Sequence, residues 1–228
     1  MLIDLYDTLV SCDFTPLHAL VAERLGVSLA VVVAAYDTTR RSRGTGHYPS
    51  PETAMGSIVE TCGREATTAL VESLVAIERD FFAREVRLYP DSLDTVRWLR
   101  GSGVRTALVS NCSPASGGVV DDLELASEMD AIVLSFEVGA LKPAPAIFRA
   151  ALERLDTSPS DTWFIDDQAS YCDGARRLGM RTLQIVRADA GTAGRGGRRD
   201  DELGPKERNA AHPIAESFAA ARGYLEIS

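Results

Sequence analysis

The chain has 228 residues, of which 45% are hydrophobic and 25% charged, with a formal net charge of -9 at pH 7. That composition buries a core of ordinary size, enough for one α/β body with a smaller unit inserted. The acidity argues against nucleic acid and anionic membrane as partners, and any anionic substrate would need a local cation to hold it.

The opening stretch, Met1-Leu-Ile-Asp4, reads as the end of a buried strand. Only three apolar residues precede Asp4, so the strand is stubby or starts upstream of Met1. From about Thr15 to Leu88 the pattern is helical and nothing reads as a strand. Leu17, Leu20, Val21 and Leu25 share one face, with Gly26 placed to end the helix. Leu29, Val32, Val33 and Tyr36 mark a second helix. Ser50-Pro51 has the chemistry of a helix start ahead of Ile58, Val59 and Cys62, and Gly63 is the stop. Leu70, Leu74, Ile77 and Phe81 stripe a fourth helix. A polar loop is expected at Arg43-Gly-Thr-Gly-His47.

After Pro90 helix and strand alternate. Strands are expected at Val104–Val109, Ala131–Leu134, Thr162–Ile165 and Thr182–Val186. Helices are expected near Ser92–Leu99, Val119–Ala126, Ala144–Leu155, Ser170–Leu178 and Pro213–Leu225. The Gly- and Arg-rich segment Ala188–Asp201 reads as a surface loop. Apolar strands alternating with helices imply a parallel sheet with right-handed crossovers.

In such sheets ligands bind beyond the carboxyl ends of the strands. The stretches Asp4-Leu-Tyr-Asp-Thr-Leu-Val10, Val109-Ser-Asn-Cys-Ser-Pro114, Lys142-Pro143 and Phe164-Ile-Asp-Asp167 fall at or after strand ends. In this order, with Ser135-Phe-Glu-Val-Gly-Ala-Leu-Lys142 and Asp173-Gly-Ala-Arg-Arg-Leu-Gly-Met180, they resemble the motifs of the haloacid dehalogenase-like superfamily. The resemblance implies a Rossmann-like parallel-sheet core, residues 1–12 and 90–228, with an inserted all-helical cap, residues 13–89.

It also implies roles. Asp4 would be the nucleophile, forming a covalent aspartyl intermediate. Thr8 would lie beside it, Ser110 would donate to a phosphoryl oxygen with help from the backbone N–H groups of Asn111 and its neighbours, and Lys142 would neutralise charge on Asp4 and substrate. Asp4, Asp166 and Asp167 would converge, and like charges so close call for a cation; hard oxygen ligands suit Mg²⁺. Asp167 would ligate directly, with the Tyr6 carbonyl, and Asp166 would lie just behind. In the insert, Arg41 and Arg43, with Arg40, would hold a carboxylate or second phosphate.

Tyr6 departs from the pattern. Phosphatases of this superfamily usually carry a second aspartate there, which protonates the leaving oxygen. A tyrosine in that place is typical of L-2-haloacid dehalogenases, which use no metal and do not keep the Asp166-Asp167 pair. The acid pair carries more weight, because three carboxylates without metal are costly. The expectation is a Mg²⁺-dependent phosphatase of a small organic phosphate. The alternatives are a metal-independent 2-haloacid dehalogenase and a catalytically impaired, ligand-binding relative.

Cys12, Cys62, Cys112 and Cys172 are scattered without a CxxC pair, so neither zinc nor disulfides are expected. No basic stretch leads into an apolar run at the N-terminus, so no signal peptide is expected. The run Leu29–Tyr36 is too short to span a membrane. The expectation is a cytoplasmic monomer or homodimer acting on a small molecule.

Overall fold

The computed structural model describes residues 1–123, 125–187 and 212–225. The chain opens with β1 (Leu2–Ile3) and β2 (Val10–Ser11), then runs through four helices: α1 (Thr15–Leu25), α2 (Leu29–Gly44), α3 (Pro51–Thr61) and α4 (Thr68–Glu85). It returns through β3 (Arg87–Leu88), α5 (Ser92–Gly101), β4 (Ala107–Ser110), α6 (Pro114–Asp122), α7 (Leu125–Glu128), β5 (Ala131–Leu134), α8 (Ser135–Val138) and α9 (Pro145–Arg154). It closes through β6 (Trp163–Asp166), α10 (Ala169–Arg176), β7 (Arg181–Ile185), β8 (Ile214–Ala215) and α11 (Phe218–Ala221).

Among the described residues one parallel sheet has six strands in the order β5-β4-β1-β6-β7-β8. Strand β1 is only two residues long yet central. Leu2 lies opposite Ala107 and Phe164, and Ile3 opposite Leu108 and Ile165. Both are fully buried. Alternation sends them to opposite faces: Ile3 joins the core under the helical insert, and Leu2 packs with Phe148, Phe164 and Ala175 beneath α9 and α10. From β1 the chain moves outward to β4 and β5, then crosses back to β6. The reversal leaves a crevice at the carboxyl ends of β4, β1 and β6.

Local chemistry explains the ends of the inserted helices. Gly26 adopts φ 62, and its N–H donates to Ala22 and Glu23 carbonyls, closing α1. Ser50 and Thr53 form a reciprocal cap ahead of Pro51, starting α3 where expected. The apolar stripes face inward through Leu17, Val21, Val32, Ile58 and Leu74, whereas Leu20 and Leu29, assigned to the same stripes, are exposed.

Several elements differ from the sequence reading. Helix α2 runs through Gly44, so Arg43 sits on the helix and not in the loop. A short antiparallel ladder, Val10 opposite Leu88 and Ser11 opposite Arg87, joins the chain where it enters and leaves the insert. Helix α6 begins at Pro114, five residues before the expected start, because Ser113 and Ser116 cap each other around Pro114. The pair Gly117-Gly118 disguises it. A Cβ at Gly117 would sit 3.3 Å from the Phe136 ring, so a small residue serves packing there.

The expected last helix, Pro213–Leu225, is instead β8 followed by the single turn α11. The alanine-rich run has helical propensity, but Ile214 and Ala215 pair with Gln184 and Ile185 on the open edge of β7. The segment Ala188–Asp201 lies outside the described residues. No single helix among the described residues is long and apolar enough to cross a membrane.

Candidate active site

Asp4 follows β1 directly, and its N–H donates to the Ile165 carbonyl, so the sheet itself fixes the start of its loop. Its carboxylate is buried and fully engaged. Lys142 Nζ donates to Asp4 Oδ1 at 2.5 Å and to Asp166 Oδ2 at 2.7 Å. Thr8 Oγ1 donates to Asp4 Oδ2 at 3.1 Å. The other oxygen of Asp166 accepts from the Gln168 backbone N–H at 2.7 Å. Asp167 accepts from Gln168 Nε2 at 2.5 Å, and Gln184 Nε2 donates to the Asp167 carbonyl at 3.0 Å. One oxygen each from Asp4, Asp166 and Asp167 lie within 4.8 Å of one another.

Two of these three buried carboxylates, Asp4 and Asp166, therefore share the Lys142 ammonium. Burial pushes the Asp166 carboxyl well above its ordinary value, with Lys142 opposing and Asp4 and Asp167 adding to the rise. Burial works against the Lys142 charge, but Asp166 and Asp4 outweigh it and its pKa is raised. The converging carboxylate oxygens are hard donors that fit a divalent cation.

The Lys142 segment is held by the loop after β4. Asn111 Oδ1 accepts from the Lys142 N–H at 2.7 Å, and Asn111 Nδ2 donates to the Lys142 carbonyl at 3.1 Å. The Asn111 side chain thus positions the lysine. Gly174 lets α10 approach this segment: a Cβ there would lie 2.6 Å from Pro143 Cβ. That contact gives a reason for the glycine in Asp173-Gly-Ala-Arg. Ser110, at the carboxyl end of β4, is fully buried and its hydroxyl has no hydrogen-bond partner.

A model of the haloacid dehalogenase-like hydrolases matches residues 1–179. The chain belongs to that family. It is an enzyme family, and this member is a hydrolase. Among curated relatives it is 25% identical over 190 residues to a phosphoglycolate phosphatase of Pseudomonas putida, covering 82% of this chain and 68% of the relative. It is 31% identical over 104 residues to (S)-2-haloacid dehalogenase 1 of a Pseudomonas species, covering 45% of this chain and 46% of that enzyme. The chain thus spans less than half of the dehalogenase it matches. A HAD family enzyme of Bacteroides thetaiotaomicron, solved with magnesium and inorganic phosphate, shares the fold with a TM-score of 0.63 at 23% identity, over 84% of this chain and 94% of that one.

Other expected site residues of this HAD-family member are more dispersed. Tyr6 is buried, with its ring 5.6 Å from Phe14 and its hydroxyl without a partner. Burial raises its pKa well above the ordinary phenol value. Arg43 faces a cavity between the insert and the core. It donates to Thr39 Oγ1 and the Tyr36 carbonyl, with its guanidinium 4.9 Å above the Tyr36 ring. Arg40 lines the same cavity, whereas Arg41 is exposed and lies outside its lining. Gly46, at φ 72, lets the end of α2 press onto the core, because a Cβ would meet the Phe136 carbonyl at 2.1 Å.

His18, Glu78, Gln168 and Gln184 escaped the sequence reading. For the first two only the helical period was visible, and it marks burial, not polarity. Burial pushes the Glu78 carboxyl up to about 7, against the pull of Arg43 and Tyr36. Burial and then Arg43 pull His18 down to about 4, so its ring is neutral at pH 7. The folded state binds the Glu78 proton more tightly than the unfolded chain does. The resulting stability is fully present below the unfolded pKa and is lost as pH rises through the folded one. Glu78→Gln should therefore gain stability on the parent, by up to ~3 kcal/mol, as pH rises from about 4 to about 8. Unfolding curves of both proteins across that range check this, and parallel pH profiles would contradict it.

Proposed function

We propose that the protein is a Mg²⁺-dependent phosphatase of a small organic phosphate in the cytoplasm, with catalytic core 1–12 and 90–228 and helical cap 13–89. The observation that carries this reading is the convergence of three buried carboxylates, with one oxygen each from Asp4, Asp166 and Asp167 within 4.8 Å of one another. Asp4, Asp167 and the Tyr6 carbonyl would hold the ion. Asp166, with both oxygens engaged by Lys142 and Gln168, would support it from behind. When bound, the ion offsets charge on the carboxylates and on phosphoryl oxygens.

The chain's own residues supply the rest. Thr8 and Lys142 hold one oxygen each of Asp4 and so fix its direction of attack. An Asp4 oxygen bonds to phosphorus as the bond to the leaving oxygen breaks, giving an aspartyl phosphate and a leaving oxyanion. Water then attacks phosphorus, releasing inorganic phosphate and restoring the carboxylate. The buried Ser110 hydroxyl would donate to a phosphoryl oxygen, stabilising charge as it develops. Arg43, at the cap, would contact the rest of the substrate, whereas the exposed Arg41 lacks that route.

Position 6 offers no carboxylate to protonate the leaving oxygen. General-acid help is typically worth ~10²–10⁴-fold, so aryl and acyl phosphates should outpace alkyl phosphates by a factor of that order. Tyr6→Asp should flatten the dependence on leaving-group pKa, and EDTA should abolish turnover throughout. Single-turnover rates on graded phosphate esters, with and without EDTA, test all three. Efficient alkyl-ester cleavage with no leaving-group trend would assign the proton to another group. Chelator-insensitive halide release from a 2-haloacid, with no ester cleaved, would establish the second reading. Tyr6 favours that reading, because halide needs no proton to leave.

A further inference from the structure

The turn between Asp4 and β2 is tight and needs support. The N–H groups of Thr8, Leu9 and Val10 all donate to the Leu5 carbonyl, at 3.4, 2.8 and 2.9 Å. Asp7 adopts φ 60, a left-handed conformation that a residue with a side chain keeps only where its surroundings hold it. The surroundings hold the next two carbonyls. That of Leu9 accepts from the Tyr89 N–H at 3.0 Å and from Ser92 Oγ at 2.7 Å. That of Thr8 accepts from Arg187 Nη2 at 2.8 Å and from Arg187 Nε at 3.2 Å.

Arg187 follows β7 and is only 7% exposed. Its remaining nitrogen, Nη1, donates to Asp91 Oδ1 at 2.7 Å, and Asp91 Oδ2 accepts from the Phe218 N–H at 2.8 Å. The guanidinium lies 4.3 Å from the centre of the Tyr89 ring and 5.0 Å from that of Phe218. All three nitrogens are therefore engaged, at two acceptors, with rings against the cation. This is work for a planar fork of donors, which a lysine cannot reproduce. A buried cation is costly unless it is paired and hydrogen-bonded, and here the pairing is spent on the backbone beside the nucleophile. The same Thr8 whose carbonyl Arg187 grips donates its hydroxyl to Asp4 Oδ2 at 3.1 Å.

We propose that Arg187 is a positioning residue for the nucleophile: by holding the Thr8 carbonyl it keeps the Thr8 hydroxyl on Asp4 and so fixes the direction in which the carboxylate attacks. The proposal rests on the Asp4 chemistry of the phosphatase reading and adds a residue to it. Arg187 acts through Thr8, and Asp91, Tyr89 and Phe218 hold Arg187 in turn.

The test combines kinetics on an aryl phosphate with Mg²⁺ and amide hydrogen exchange, both on the full chain. Arg187→Met should lower kcat by at least ~10-fold with KM changed less than ~2-fold, because attack geometry is lost and binding is not. Thr8→Val should lower kcat similarly. The double variant should be no more than ~2-fold slower than the slower single one, because both changes act through one hydroxyl. Exchange in Arg187→Met should quicken at residues 5–10 and stay unchanged in β4 and β6. Arg222→Met is the comparison. Arg222 ties the same C-terminal segment to α5 through the Asp94 carbonyl and the Trp98 ring, so its loss should leave kcat unchanged. Arg187→Lys keeps the charge and should recover part of the rate; it also carries the comparison if Arg187→Met fails to fold. An unchanged kcat in folded Arg187 variants, a change in KM alone, losses that multiply with Thr8→Val, or exchange quickened evenly along the chain would overturn the proposal. If esters are cleaved and the Arg187 variants match the parent, only this assignment falls. If the parent cleaves no ester, the phosphatase reading falls, and exchange at the turn still decides whether Arg187 holds it.

Discussion

Asp4→Asn is expected to lower turnover by at least ~10⁴-fold while the protein stays folded, because an amide oxygen is a far weaker nucleophile than a carboxylate. Stability should survive for an electrostatic reason. Asp4 is one of the negative groups that push the Asp166 carboxyl upward, so neutralising it relieves repulsion in the cluster. Lys142 retains Asp166 as a partner at 2.7 Å, and an asparagine oxygen can still accept from Thr8. The measurement pairs single-turnover rates with thermal unfolding of parent and variant. A folded variant that keeps most of its activity would remove Asp4 from the chemistry.

Lys142→Met is expected to cost both stability and turnover. The ammonium is fully buried and touches two carboxylates. Removing one partner from a buried ionic cluster typically costs ~3–5 kcal/mol, because the remaining charges lose their compensation. Methionine fills similar space and packs against Phe164 and Tyr171, over whose rings the ammonium now lies. The loss should therefore be electrostatic, and a second substitution separates the causes. Lys142→Met with Asp166→Asn should regain much of the stability, since one stranded charge is gone and the asparagine oxygen still accepts from the Gln168 N–H. Turnover should stay low, because nothing then offsets the charge on Asp4 and substrate. Denaturant unfolding of the two single variants and the double variant gives the coupling. A Lys142→Met protein as stable as its parent would contradict the assigned role.

Much of the candidate site was legible because it is built at strand ends. A buried apolar strand followed by a polar residue marks the edge of the sheet, and Asp4, Ser110 and Asp166 all mark such edges. Lys142 was legible only through family resemblance, since a lysine before a proline is otherwise an ordinary surface residue. Its burial depends on contacts 138 and 24 residues away in sequence, which no local pattern reveals. The Asn111 clamp on Lys142 was hidden for the same reason. The inserted helices were visible through their periodicity, but that period cannot separate Leu17, which is buried, from Leu20, which is exposed. Nor does it show that His18 and Glu78 turn inward. Strand β8 was misread because its conformation is imposed by the open edge of β7 and not by its own residues.

The most direct test of the central claim is a rapid-quench experiment on Asp4. The protein is mixed with an aryl phosphate and Mg²⁺, quenched in acid, digested, and the N-terminal peptide examined by mass spectrometry. The account predicts a phosphoryl group on Asp4 that forms and decays at the rate of turnover and is absent from Asp4→Asn. An unmodified Asp4 throughout turnover, or an ester at Asp4 formed only from a 2-haloacid without metal, would contradict it.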